Sequence, residues 1–172
     1  MLDGAKNAPP HMKSWTPTRV AGLERLHAFA PYMGRAYANT RNADLGPDDR
    51  SNVSALSPWV RHRLITEEEI LKVALEKHSF SASEKFVQEL LWRTYFKGWL
   101  ERRPQAWTRY QADLQMDLQR LEKNAGLRTA YDDAISGATG IEGFDDWASE
   151  LVETGYLHNH ARMWFASIWI FT

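Results

Sequence analysis

The chain has 172 residues, a formal net charge of −1 and no cysteine. That length suits one domain with a real core, and the near-zero charge excludes a global basic field drawing it to nucleic acid or membrane. The missing thiols exclude disulfides and thiolate metal sites, and they suit a reducing cytosol.

Residues 1–17 contain Gly4, Pro9, Pro10 and Pro17 and read as a flexible segment ahead of a domain spanning 18–172. Residues 1–10 are polar and lack the apolar stretch of a secretory signal, so a cytoplasmic protein is expected. From Thr18, the spacing of Val20, Leu23, Leu26, His27 and Ala30 predicts a helix that ends before Pro31. A second short helical piece is expected over 32–40, followed by a polar loop over 41–50 with Gly46-Pro47 at its centre. Ser57-Pro58 is a helix start, with Ser57 as the expected cap and Pro58 at the first helical position. The hydroxyls of Ser51, Ser54 and Ser57 crowd the positive end of that helix, which is either a plain capped start or a place to hold phosphate.

Thr66 to Glu69 form a capping box whose helix reaches about Lys77, and Ser81 to Glu84 form another, opening a helix over 85–101. On that second helix Glu89, Trp92, Arg93 and Phe96 share a face, with Phe86, Leu90 and Lys97 beside it. The face is either an exposed Glu89–Arg93 pair or a site. Pro104 ends the element. Tyr110, Leu114, Leu118 and Leu121 predict an amphipathic helix up to Gly126, and a further helix is expected over 128–135. Residues 137–140 form a Gly-rich turn. Asp145 is the expected cap of a helix holding Trp147, Leu151 and Val152, which stops at Gly155. No segment has the two-residue period of a strand, so the fold class is all-α.

Residues 154–167 gather Gly155, His158, Asn159, His160 and Arg162 just before the apolar run 163–171. That run is shorter than the roughly 20 residues a membrane helix needs. His158 and His160 are two apart, so a helix points them in different directions, and no metal site is expected. The eight tryptophans are more than a core of this size needs, because a buried indole N–H wants a partner. Stacking platforms for a cofactor or for bases are the alternative to an aromatic helical core.

In order along the chain stand Tyr37-x-x-x-Arg41, Ser54-x-Leu56-Ser57-Pro58 and Glu89-Leu90-Leu91-Trp92-Arg93. Gly137-x-Thr139-Gly140 with Asp145 follows, and then Thr154-Gly155-Tyr156-Leu157-His158-Asn159-x-x-Arg162-Met163 with Ala166-Ser167. This ordered set resembles the FAD-binding helical domain of the DNA photolyase/cryptochrome family. The resemblance implies an all-α fold and FAD as cofactor. It implies the activity of a deoxyribodipyrimidine photolyase, a carbon–carbon lyase: light-driven electron donation to a pyrimidine dimer in DNA, ring opening, and return of the electron. The alternatives are a cryptochrome-like blue-light photoreceptor without repair, or a truncated, non-functional remnant.

The resemblance also implies roles. Tyr37, Val53, Ser54, Ala55, Leu56 and Ser57 correspond to contacts with the FAD diphosphate, with Val53 where the family usually has Thr. Phe86 corresponds to a wall of the flavin, and Arg93, Asn159 and Arg162 to further cofactor contacts. Glu89 and Trp92 match the residues that hydrogen-bond and stack on the flipped dimer; Asn159 reaches both flavin and lesion, and Met163 lines the lesion cavity. Arg41 corresponds to a DNA-phosphate contact, as does His160, which replaces an Arg. Damaged DNA is the implied partner. No antenna domain is expected ahead of the matching region, and the chain is expected to stop before the second helical half, which would leave Trp164, Phe165, Trp169 and Phe171 exposed on a final helix. A separate antenna or C-terminal half is the implied additional partner.

Overall fold

The computed structural model describes residues 15–172, so most of the expected flexible segment 1–17 lies outside the described residues. The described part is helical without strands and forms two compact units, one ending at Trp92 and one from Arg93 to Thr172. The all-α expectation holds.

In the first unit, α1 (Arg19–Phe29) starts where the sequence indicates, with the Thr18 hydroxyl accepting from the Ala21 N–H at 3.2 Å. It passes into a 3-10 turn (Ala30–Tyr32) at Pro31, which has no N–H to continue the α pattern. The buried face of α1 differs from the predicted stripe. Gly22, Arg25, Leu26 and Phe29 point inward, whereas Val20 and His27 are exposed. Gly22 is there because a Cβ would meet the Trp59 ring at 2.9 Å. Arg25 can be there because its donors are satisfied internally, as described below.

After α2 (Arg35–Thr40) and the polar loop comes α3 (Ser57–Arg61). Ser57 is its first residue, not its cap. Leu56 occupies the cap position, and no side chain satisfies the free N–H groups there. Around α1 and α3 the core is built from Leu26, Phe29, Met33, Trp59, Ile65 and Ile70. Trp59 is fully enclosed, its indole N–H donating to the Thr16 carbonyl at 2.9 Å.

The capping box of α4 (Glu67–Lys77) forms as predicted: the Glu69 N–H donates to the Thr66 hydroxyl, and the Glu69 carboxylate accepts from the Thr66 N–H at 2.9 Å. Glu69 also takes the Arg19 guanidinium at 2.5 Å. The Arg19 bond first, and then the Thr66 N–H, hold its carboxyl at about 2, against an ordinary value of 4.5. Because the folded value is the lower one, this contribution to stability is complete above about pH 4.5 and is lost as pH falls through about 2. Glu69→Gln should therefore flatten the acid limb of a Tm-against-pH curve in that window. An unaltered limb would show that other carboxylates govern it.

α5 (Phe80–Glu101) begins earlier than the predicted box at Ser81. The Ala82 N–H faces the Ser79 hydroxyl at 3.4 Å, and the buried Ser83 hydroxyl donates back to the Ser79 carbonyl at 3.1 Å. His78 is extended, so the very next serine already stands at the helix entry.

In the second unit Pro104 opens α6 (Pro104–Lys123) at a position where its missing N–H costs nothing. Asn124 then caps α7 (Ala125–Ser136), its side chain accepting from the Leu127 N–H at 3.0 Å. Gly126, read as a stop, consequently lies inside α7. α8 (Phe144–Thr154) ends on Gly155 in the left-handed region, as expected, and α9 (Asn159–Phe171) follows. On α9, Ala161 is buried and Phe165 stacks on Phe144, with ring centres 4.7 Å apart and planes 3° from parallel. Phe165 is thus not part of the predicted exposed surface, whereas Trp164, Trp169 and Phe171 are. The Phe144 ring captures Phe165 because positions 161, 165 and 168 share one helical stripe.

Candidate functional site

In the first unit the segment 50–57 is shaped from behind by a buried arginine. Arg25 is 5% exposed. Its Nε–H donates to the Ser54 carbonyl at 2.8 Å, and one terminal nitrogen donates to the carbonyls of Val53 at 2.8 Å and Arg50 at 3.2 Å. The planar guanidinium suits three carbonyls converging from one loop, because its donors are fixed in a fork. Asn52 ties the same loop to the preceding one, its amide donating to the carbonyls of Thr40 at 2.8 Å and Ala43 at 2.7 Å. Ala55 is held at φ 52°, a left-handed conformation that a residue with a Cβ adopts only under such constraint.

In a trans peptide the C=O of one residue and the N–H of the next point in opposite directions. With the carbonyls of Val53 and Ser54 turned to Arg25, the N–H groups of Ser54 and Ala55 are turned away from it. Among the described residues these two N–H groups donate to no protein acceptor. Consecutive N–H groups without a protein acceptor beside a left-handed residue make a concavity for an anion, so this segment fits a phosphate-bearing group.

Close to it, Tyr37 on α2 sets its ring edge-on to Phe86 of α5, with centres 5.2 Å apart, and to Phe29 at 6.3 Å. Arg41 lies 5.8 Å over the Tyr37 ring and binds the Glu89 carboxylate at 2.5 Å. Partial burial pulls the Arg41 pKa down, but the Glu89 hydrogen bond and charge outweigh it and leave the guanidinium above its ordinary value. The fold thereby joins Tyr37, Arg41, Phe86 and Glu89, which lie far apart in sequence. Glu89 pairs with Arg41 across 48 positions, a partner that the helical spacing to Arg93 does not suggest. Trp92, one turn on from Glu89, presents half of its surface to solvent.

In the second unit the Gly-rich turn is organised by Asp145. Its carboxylate accepts from the Thr139 hydroxyl at 2.7 Å, the Thr139 N–H at 3.1 Å and the Gly140 N–H at 2.8 Å. The Thr139 hydroxyl bond is the largest influence on its pKa; burial opposes it, the Thr139 and Gly140 N–H bonds add to it, and the net shift is below the ordinary value. The sequence reading made Asp145 the cap of α8. Gly143 holds that position instead, and Asp145 reaches back to cap the turn, because α8 starts two residues earlier than expected. Asp145→Asn should lower Tm and speed amide exchange at Thr139 and Gly140, since an amide NH2 meets donors where the carboxylate met them as acceptor. Unchanged exchange at both would remove this role.

The stretch 154–163 is a helix junction. Gly155 stops α8, the Thr154 hydroxyl accepts from the Tyr156 N–H at 3.2 Å, and buried His158 caps α9 by accepting from the His160 N–H at Nδ1, 3.2 Å away. His158 therefore does structural work. Asn159 and Met163 lie one turn apart on the exposed side of α9, with His160 half-buried beside them. The Arg162 guanidinium donates to the Leu157 carbonyl at 3.3 Å. Arg93 is half-buried within α5.

A cleft of about 410 Å³ in the second unit is lined by Tyr131, Phe144, Ile141, Ile168 and Trp169 among others, and none of the sequence-derived site residues borders it. Among the described residues no helix is long and apolar enough to cross a membrane, and no cluster of His, Cys, Asp or Glu could hold a metal ion. No motif or spacing in the sequence marks the roles of Arg25 and Asn52 or the turn-capping role of Asp145. For the burial of Arg25 the available signal was its register with Gly22, Leu26 and Phe29 on one face of α1.

The family model described as the FAD binding domain of DNA photolyase matches residues 86–171, half of the 172-residue chain. The matched span includes Phe86, Glu89, Trp92, Arg93, Asn159, His160, Arg162 and Met163. No curated protein and no solved structure matches the chain.

Proposed function

As the chain belongs to the family of the FAD binding domain of DNA photolyase, whose cofactor is FAD, we propose that it takes part in light-driven repair of pyrimidine dimers in DNA. The family match over 86–171 supports this reading, because it takes in Glu89, Trp92, Asn159 and Met163, assigned to the lesion, together with Phe86, Arg93 and Arg162, assigned to the flavin. In this proposal residues 18–172 serve one FAD-binding domain.

Bound FAD supplies the electron that opens the cyclobutane ring. The N–H groups of Ser54 and Ala55 that lack a protein acceptor, with Tyr37, Val53, Leu56 and the Ser57 hydroxyl, hold the diphosphate. Phe86, rigid between Phe29 and Tyr37, offers an apolar wall. Arg93, Asn159 and Arg162 bring a cation, an amide and a second cation to the cofactor. Glu89 accepts hydrogen bonds from the flipped bases, Trp92 stacks on them, and Asn159 and Met163 complete the lesion contacts. Extrusion costs least for a damaged base, whose stacking is already broken, and that difference favours the lesion over intact DNA. Arg41 and His160 meet backbone phosphates, which requires Arg41 to exchange Glu89 for DNA.

The test is flavin content followed by repair. The full chain, loaded with FAD and reduced, should convert a dimer-containing oligonucleotide to intact thymines under blue light and not in the dark. FAD binding without light-dependent conversion would replace the repair reading with that of a flavin photoreceptor. Absence of FAD binding would remove both.

A further inference from the structure

The Arg25 guanidinium takes no part in the contacts assigned above, yet it is almost completely enclosed and directs three bonds into one loop. We infer that Arg25 is the positioning residue of the diphosphate site: by drawing in the carbonyls of Val53 and Ser54 it turns the N–H groups of Ser54 and Ala55 toward the ligand. The inference rests on reading segment 53–57 as the diphosphate contact.

Three observations support the role. The carbonyls bonded by Arg25 belong to the same peptide units as the two N–H groups that lack a protein acceptor, so fixing one end of each unit fixes the other. Ala55, which follows the two held carbonyls, sits at φ 52°, and the Arg25 bonds to the peptide units before it supply the restraint such a conformation needs. Arg50 contributes its carbonyl to Arg25 while its guanidinium lies 5.5 Å over the Trp15 ring, so the start of the loop is also anchored. A lysine at position 25 keeps the charge but loses the fork, since one ammonium cannot reproduce the planar spread of Nε and the terminal nitrogen. Charge alone therefore does not explain the arrangement, and the geometry of the guanidinium does.

The experiment uses the full 15N-labelled chain and two probes, inorganic pyrophosphate and riboflavin, which lacks phosphate. Pyrophosphate should move the Ser54 and Ala55 amide resonances downfield in the wild type, and riboflavin should leave them in place. In Arg25→Lys the pyrophosphate affinity should fall by about tenfold or more, the cost of misdirecting two N–H donors to an anion. The Ile65 and Ile70 amides, within the core, should keep their positions and report that the fold persists. A folded Arg25→Lys chain with wild-type pyrophosphate affinity would overturn the inference. If that variant does not fold, the wild-type titration decides: movement confined to Ser54 and Ala55 supports the inference, and shifts elsewhere with these two unmoved overturn it. Pyrophosphate binding at these amides that Arg25→Lys weakens, without any FAD binding, would uphold Arg25 and remove the flavin reading, so the two failures are distinguishable.

Discussion

Trp59→Ala is expected to destabilise the first unit by about 3–5 kcal/mol, the usual cost of removing a fully enclosed aromatic side chain. The ring fills the space that Gly22 leaves open, and it meets Trp15 edge-on with centres 5.6 Å apart. Collapse cannot easily refill that space, because α1 already approaches as closely as a glycine permits. The mutation also strands the Thr16 carbonyl, which accepts the indole N–H. Against a total stability of roughly 5–15 kcal/mol for a domain, such a loss is a large share. Urea unfolding followed by far-ultraviolet circular dichroism should show a clearly lower midpoint, with Trp59→Phe falling between alanine and wild type. A midpoint unchanged by alanine would mean that the ring is not packed as described.

For Trp92→Ala the expected effect lies in binding instead of stability. Its indole is 53% exposed, so truncation opens no cavity and should leave Tm nearly unchanged. A base stacked on an indole contributes about 1–3 kcal/mol, which corresponds to a loss of roughly five- to 150-fold in affinity. That loss should appear for a duplex with one cyclobutane thymine dimer and be absent for the undamaged duplex, which offers no flipped base. The salt dependence should be the same in both proteins, because Trp92 neutralises no phosphate. Trp92→Phe should recover much of the affinity. Equal weakening toward damaged and intact DNA would count against a stacking role.

The Arg41–Glu89 pair bears on the same measurement. Both groups are assigned to DNA, and without DNA they satisfy each other at 2.5 Å. Under the proposed roles, binding would replace a protein ion pair with two separate interactions, one to phosphate and one to the flipped base. Exposed pairs of this kind are worth little in water, so the exchange is cheap and the lesion contacts are not forfeited to it.

Local signals in the chain were enough for most of the helices. Thr18, the Thr66–Glu69 box, Pro104 and Gly155 act within one turn of their own position, and their physics is complete in a few neighbouring residues. The family motifs were legible for the same reason, as short strings in a fixed order, and the match over 86–171 bears out the family they indicate. What those strings leave open is any bond between distant segments. Arg25 could be placed inside only by carbonyls 25 to 29 positions away, and Glu89 found Arg41, 48 positions back, instead of Arg93 four positions on. Ser79 displaced Ser81 at the start of α5, and Asp145 turned from its helix to the Gly-rich turn, because the hydrogen-bond partners actually within reach decide which of several eligible groups caps which element. Helical period and capping are local energies, whereas the burial of a charge and the choice of its partner depend on which backbone groups the packed fold leaves within about 3 Å.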